Sequence, residues 1–481
     1  MKDLIKLSLP KLHPFILTFL LLGLSVPGLW AQAQPTQFVV LHSFTNAPDG
    51  EHPCLSLSAG KANNTLFGTT LYGGSNGQGI IFKMNADGSG YTILHNFTAG
   101  EAQNFGLTPP NTFSPPVIQA NDGALYGVAT GGSNYQHGMA FKLKTDGSGF
   151  TVIHNFGAGD IYPITLIQGD DGELYGAGAQ GVFKMDTSGS NYSVLHTFNI
   201  ATDGDNCFGL IQGSDGALYG TCQEGGASST NSGNLISGTI FKINTNGTGF
   251  TVLHNFGVPS TDAQYPCSGV IEGSDGALYG VTPRGGGGVP GAGTVYKINK
   301  NGLGYTLLHA FQGSPDGSLP YGALVQGLNN MLYGTTQLGG SNSLGTVFEI
   351  SLDGSTYNIL YQFASGTDGY YPYAGLVQGP SSSGSGVLYG ATYSGTLPSN
   401  TYGTLFALEV NPPMSITPVV NQFGSNTVVF WPAWALNYTL QTSTNINGPW
   451  TAATNGVPMT GFQPTNTTGN AFYRLVFPQS N

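Results

Sequence analysis

Arginine is almost missing from this chain. Two occur in 481 residues, Arg284 and Arg474. Charged residues of all kinds reach only 8%, so the surface is made polar by Ser, Thr, Asn and Gly. With Arg284 alone before residue 412, a sialidase-type site is excluded, because that chemistry needs several arginines around one carboxylate. Tryptophan is absent between Trp30 and Trp431, and the repeated Ser-Asp-Gly turns in that span lack the Trp of an Asp-box. Cysteine is sparse, at Cys54, Cys207, Cys222 and Cys267. None falls in Cys-x-x-Cys or metal-ligand spacing. Beyond residue 30 no apolar run is long enough for a transmembrane helix.

What the first residues do contain is the pattern of an export signal. Lys2, Lys6 and Lys11 precede the apolar run Phe15–Trp30, and Ala31-Gln32-Ala33 fits small-x-small cleavage. Residues 1–33 are therefore expected to be removed, and the mature chain to be secreted, extracellular or on the cell surface, with the periplasm as the alternative. The chain then carries 10 basic and 23 acidic residues, a net charge of −13. That balance disfavours nucleic acid and anionic membranes. A monomer is expected.

Three short signatures recur in a fixed order. Leu-His-x-Phe stands at Leu41–Phe44, Leu94–Phe97, Leu195–Phe198, Leu253–Phe256 and Leu308–Phe311, as Ile153–Phe156, and with Tyr361 for His at Leu360–Phe363. Leu-Tyr-Gly starts at Leu125, Leu174, Leu218, Leu278, Leu332 and Leu388, with Leu66 opening Leu-Phe-Gly. Variants of Gly-Thr-Val-Phe-Lys start at Gly79, Gly138, Gly181, Gly238, Gly293, Gly345 and Gly403. Each unit holds four apolar runs separated by Gly, Asp and Asn. One small sheet of this kind cannot bury both faces alone, so the spacing predicts an all-β, seven-bladed β-propeller over residues 34–411. The first Leu-His-x-Phe run precedes every other strand, and the last unit lacks one. Gln37–Phe44 is therefore expected to close the last blade as its outermost strand, leaving no open sheet edge. We label the strands of a blade A to D from the ring axis outward. Asp-Gly pairs such as Asp215-Gly216 and Asp275-Gly276 turn A into B. After Pro412-Pro413 the repeat stops. Alternating runs such as Thr427–Trp431 and Phe472–Phe477 predict a small β-sandwich over 412–481.

These signatures together resemble the GloVer repeat, the choice-of-anchor tandem repeat of exported bacterial proteins. The likeness covers about Gln37 to Val410. It implies an exported, propeller-like repeat protein with no established activity.

Cys207 and Cys222 fall almost opposite each other in a hairpin turning at Asp215-Gly216, which favours a Cys207–Cys222 disulfide. Cys222–Cys267 is the alternative, and buried thiols are a third reading.

The A–B and C–D turns are short and alike from unit to unit, whereas the B–C and D–A loops vary. Variation is thus confined to one face, where loops on a rigid frame hold binding groups. The candidate ligand-binding residues on that face are Tyr72, Tyr135, His137, Asp205, Glu224, Arg284 and Tyr371. Variable loops also carry His52, Tyr162, Tyr265, Tyr321, Tyr370 and Tyr373; the plainer reading has such tyrosines packing on prolines. The plainer reading of Arg284 and Glu224 is a surface ion pair. The repeated histidines occupy equivalent outer-strand positions, so they do not converge on a site; packed imidazoles bonded to backbone are expected. Lys83, Lys142, Lys184, Lys242 and Lys297 are expected to be solvated. Acids of the D–A loops (Asp49, Glu51, Asp160, Asp203, Asp205, Asp262, Asp316, Asp368) are read as turn-forming, with calcium as the alternative. No other cofactor and no catalytic residue is assigned. These features point to a non-enzymatic binding or cell-surface scaffold for a glycan or a protein. The alternative is a polysaccharide-active hydrolase or lyase with its site at the loop-rich mouth.

Overall fold

The computed structural model describes residues 37–410 apart from 46, 54–56, 62–64, 102–116, 130–133, 135–136, 228–236, 258–260, 288–290, 328, 365, 380–385 and 396–401. Beyond 410 it describes the backbone of six strands. The expected export signal, Cys54, Tyr135 and the C-terminal tryptophans lie outside the described residues.

Seven four-stranded antiparallel sheets follow one another along the chain and make a seven-bladed β-propeller. No helix occurs among the described residues. Blade four is representative, with strands Asp205–Gln212, Leu218–Glu224, Thr239–Ile243 and Thr251–Asn255. In the seventh sheet the order is Val377–Gln378, Gly386–Thr392, Thr404–Val410 and then Gln37–Ser43. There Phe38 stands opposite Leu408 and Val39 opposite Ala407.

The co-occurrence of the signatures has a steric cause. In blade four the Gly of Leu-Tyr-Gly, Gly220, faces Phe241 of the next strand. A Cβ on Gly220 would collide with the Phe241 ring. The same collision would follow at Gly127 with Phe141 and at Gly334 with Phe348. A large ring on strand C therefore requires glycine on strand B, and the two motifs travel together.

Both faces of each sheet are covered by neighbouring sheets. Tyr126 and Val128 of blade two share a core with Leu174, Phe183 and Met185 of blade three. Leu57, Leu66 and Phe82 of blade one share one with Phe44, Ala374, Tyr389 and Leu405 of blade seven. Strands B are buried along their whole length in blades two, three and five. Each such interface removes large rings from water, at ~25 cal/mol per Å² of apolar surface.

Beyond residue 410, Val419–Phe423, Asn426–Phe430 and Gly461–Phe462 form one three-stranded sheet. Thr439–Ser443, Thr451–Ala452 and Phe472–Val476 form another.

Candidate functional site

The outer strands show first what the repeated residues are for. The expectation that the histidines bond to backbone is corrected: each points to an acid in the following D–A loop. His42 meets Asp49, His196 meets Asp203, His254 meets Asp262 and His309 meets Asp316, all at 3.0–3.1 Å from Nε2. His95 meets Glu101 at 3.2 Å. In blade six Tyr361 donates to Asp368 instead. His154 lies 3.7 Å from Asp160, too far for a hydrogen bond. Each acid also accepts a backbone N–H from just past the outer strand, as Thr45 to Asp49 and Gln312 to Asp316. Burial pushes the Asp49 carboxyl up, but the His42 contact and the Thr45 N–H outweigh it and hold it below the ordinary range. Asp203 and Asp316 are lowered in the same way. Of the acids weighed as calcium ligands, Asp49, Asp203, Asp262, Asp316 and Asp368 are thus partners of the belt, whereas Glu51 and Asp205 stand in the loop pairings of the opposite face.

Each belt side chain also stacks on an aromatic ring of the next blade. His42 lies on Tyr91, His95 on Phe150, His196 on Phe250 and His254 on Tyr305, with centroids 3.7–4.0 Å apart. Belt chemistry is therefore structural, linking blade to blade.

The face carrying the A–B turns is equally regular. Asp215 accepts from Tyr219 Oη at 2.7 Å and from Lys242 Nζ at 2.9 Å. Asp122 with Tyr126 and Lys142, and Asp275 with Tyr279 and Lys297, repeat the arrangement. The expectation of solvated lysine heads is corrected for these three and for Lys83, which donates to the Thr145 carbonyl. The cause is the Tyr of Leu-Tyr-Gly, whose hydroxyl brings the turn carboxylate within reach of strand C. Burial alone would raise Asp215, yet Lys242 and Tyr219 hold it at about 2. Blades are also stitched here: Gln168 accepts from the Asn121 N–H, Gln212 from Asp170 and Gln326 from Ser274. Glu272 takes the place of the glutamine in blade five, and Lys300 neutralises it at 2.5 Å.

The opposite face, with the B–C and D–A loops, is where blades differ. In blades one, four, five, six and seven the two loops of one blade meet in a short antiparallel pairing. The facing residues are Glu51 and Tyr72, Asp205 and Glu224, Gln264 and Arg284, Ser318 and Leu338, and Tyr370 and Ser394. The next residue of each D–A loop is a non-glycine with φ of 54–66°: His52, Asn206, Tyr265, Leu319 and Tyr371. Left-handed backbone is uncommon for such residues. It persists because their peptides bridge blades. His52 N–H donates to Tyr402 of blade seven, and its carbonyl accepts from Leu71 of blade one. Leu319 bridges Ala292 and Gln337, and Tyr371 bridges Leu344 and Tyr393, in the same way. The rim is held rigidly while its side chains vary.

The side chains of this rim fall into an acidic group, an Arg–Tyr pair and a run of rings. Asp205 and Glu224 stand opposite each other in the strand pair. Burial raises both carboxyls, and the charge of Asp205 raises Glu224 further. Among the described residues neither forms an ion pair with a cation. Arg284 instead lies over the Tyr265 ring at 4.7 Å. Burial pushes the Tyr265 hydroxyl up to about 12, with Cys267 and Glu224 adding to it and Arg284 opposing it. Tyr321 feels Cys267, Tyr373 and Arg284, and burial raises it most. From there rings continue: Tyr321 to Tyr373 at 5.4 Å, Tyr373 to Tyr393 at 5.4 Å, and Tyr393 to His52 at 4.2 Å, nearly parallel.

Beneath the acidic end, Cys207 and Cys222 form a disulfide with Cα atoms 3.9 Å apart. Cys267 is a buried free thiol that accepts from Gln223 Nε2 at 3.0 Å. Burial pushes it up to about 12.

Of the residues singled out from sequence, Tyr72, Asp205, Glu224 and Arg284 occupy equivalent rim positions, and Tyr371 sits one residue past its own. They belong to blades one, four, five and seven. His137 is exposed at the end of its loop and no described contact joins it to the rim groups. Tyr135 lies outside the described residues. The expected Arg284–Glu224 ion pair is not formed. Sequence reading missed Tyr393, Asn206 and Leu319. A signal did exist: four of the five left-handed residues precede a proline at the entry to an inner strand, as in His52-Pro53 and Leu319-Pro320.

A family described as the Gloeobacter/Verrucomicrobia repeat matches residues 29–182, 110–235 and 178–406. Among curated proteins no sequence matches. Several solved structures resemble the chain at low identity. The extracellular domain of a putative hybrid two-component system from B. thetaiotaomicron is 11% identical, covering 93% of this chain and 60% of that one, with TM-score 0.47. A second such domain from B. thetaiotaomicron is 12% identical over 88% of this chain, with TM-score 0.46, and this chain spans 48% of its length. Oligogalacturonate lyase from Vibrio parahaemolyticus is 11% identical, covering 79% of this chain and 98% of that one, with TM-score 0.49. No helix among the described residues is long and apolar enough to cross a membrane.

Proposed function

The chain belongs to the Gloeobacter/Verrucomicrobia repeat family, and on that premise we propose a secreted, non-enzymatic binding or cell-surface scaffold for a glycan or a protein. In this reading residues 1–33 direct export, and Gln37–Ser43 acts as the closing strand of a monomeric ring. The two three-stranded sheets after residue 410 are its small β-sandwich. One observation carries the proposal. Equivalent rim positions hold Glu and Tyr, Asp and Glu, Gln and Arg, or Tyr and Ser, while belt and turn positions repeat one chemistry around the ring. A constant frame with a varied rim suits recognition.

A second reading, a polysaccharide hydrolase or lyase, is favoured by the facing Asp205 and Glu224, whose raised carboxyls fit a proton donor and its partner. A glycan array combined with a reducing-end release assay separates the two. Retention without release supports the scaffold. Release that is abolished by Asp205→Ala or Arg284→Ala would replace it with the enzyme.

A further inference from the structure

The rim carries two chemically distinct groups of side chains, together called the arc. In one, Asp205 and Glu224 face each other half-buried and, among the described residues, without a cation. In the other, Tyr373, Tyr393 and His52 form consecutive ring contacts. A third carboxylate, Glu51, is half-buried one residue before His52, and burial raises it too. Arg284, the one guanidinium of the arc, already rests on Tyr265. The mouth is therefore negative and aromatic at once.

We propose that this arc binds an oligosaccharide carrying protonated amines, of the β-linked glucosamine kind; the proposal rests on the binding-scaffold reading above. The C–H face of a sugar ring packs on tyrosine, and an ammonium group answers a desolvated carboxylate with a charge-assisted bond. Ammonium groups are also drawn to aromatic faces. A peptide that adds a strand fits less well, because the loop peptides at His52, Leu319 and Tyr371 are already used between blades. A polyuronide would meet like charge. The bridged backbone keeps the arc in place before a ligand arrives, which lowers the ordering cost of binding.

The test is titration calorimetry on the whole mature chain at about pH 6, with glucosamine hexamer, its N-acetylated form, oligogalacturonate and oligolysine. The glucosamine hexamer is expected to bind at least tenfold more tightly than the N-acetylated form, with no heat from oligogalacturonate. Asp205→Asn with Glu224→Gln should remove that tenfold preference, and Tyr393→Ala should weaken both sugars. Thermal melts of each variant show that the ring is intact, and Arg284→Gln, which makes the mouth more negative, should tighten binding of the charged hexamer. Equal affinity for the two hexamers, binding of oligogalacturonate, or oligolysine binding as tight as the sugar would overturn the proposal. A different glycan or a protein found on the rim would sink this inference and leave the scaffold standing, whereas a rim that holds no ligand of any class would sink both.

Discussion

The ring of Phe38 lies flat on the ring of Tyr361, with centroids 3.9 Å apart and planes 7° from parallel. Phe38 thereby occupies the place that Tyr91, Phe150 and Tyr305 hold in other blades. Four residues later, His42 stacks on Tyr91 of blade one. One short N-terminal strand supplies both halves of the belt contact, receiving blade six and reaching blade one.

Phe38→Ala should loosen this strand specifically. The large-to-small change removes two ring contacts and an edge contact with Phe363. A loss of about 1–3 kcal/mol is expected, less than for a fully buried Phe because Phe38 is only partly buried, with hydrogen exchange rising first in Gln37–Ser43 and Thr404–Val410. Uniform exchange across all seven sheets would show that the strand is not a local weak point.

Phe256→Ala should also cost about 3–5 kcal/mol in denaturant melts, because Phe256 is fully buried between Ile240, Tyr296 and Ala263. Leu253, three residues earlier, is only partly buried and its truncation should cost less. The reverse order would mean that the outer strand faces the other way.

Acid should weaken the belt. Asp49, Asp203 and Asp316 have folded values below the ordinary carboxylate range. Their stabilisation is complete above the unfolded value, near pH 4, and is lost as pH falls through the folded values. Urea midpoints should be flat in this respect from pH 7 to about pH 5 and fall below about pH 4. Asp316→Asn should lower the plateau and flatten the acid limb; an unchanged limb would remove Asp316 from the account.

Lys242→Met should change stability by no more than about 0.5 kcal/mol, since the Lys242–Asp215 pair is over a quarter exposed and surface pairs contribute little. It should, however, raise the Asp215 titration from about 2 toward its ordinary value, as read by carboxyl NMR. A fixed Asp215 value would assign the depression to Tyr219 and the Ala217 N–H.

Cys267 should resist alkylation in the native protein and react only on unfolding, because it is fully buried with a thiol pushed up to about 12. Reducing Cys207–Cys222, which closes a loop of 15 residues, should cost about 3 kcal/mol. Native labelling at a rate independent of denaturant would contradict the burial.

The seven-fold architecture was legible in residues 37–410 because each blade must repeat the same steric bargain. A Phe or Tyr on strand C needs Gly on strand B, so this pair marks every unit, and Asp-Gly turns between strands A and B mark four of them. The belt was half legible. His and Asp both recur, but they stand six to eight residues apart, and only the return of the D–A loop brings His254 to Asp262. The mouth was least legible. Asp205 and Glu224 are 19 positions apart, and Tyr393 and His52 come from the last and first blades, 341 positions apart. Local spacing determined which residues sit on the loop face. Which of them touch was decided by the packing of blade on blade, since that packing sets the neighbours of a side chain by blade order and not by distance along the chain.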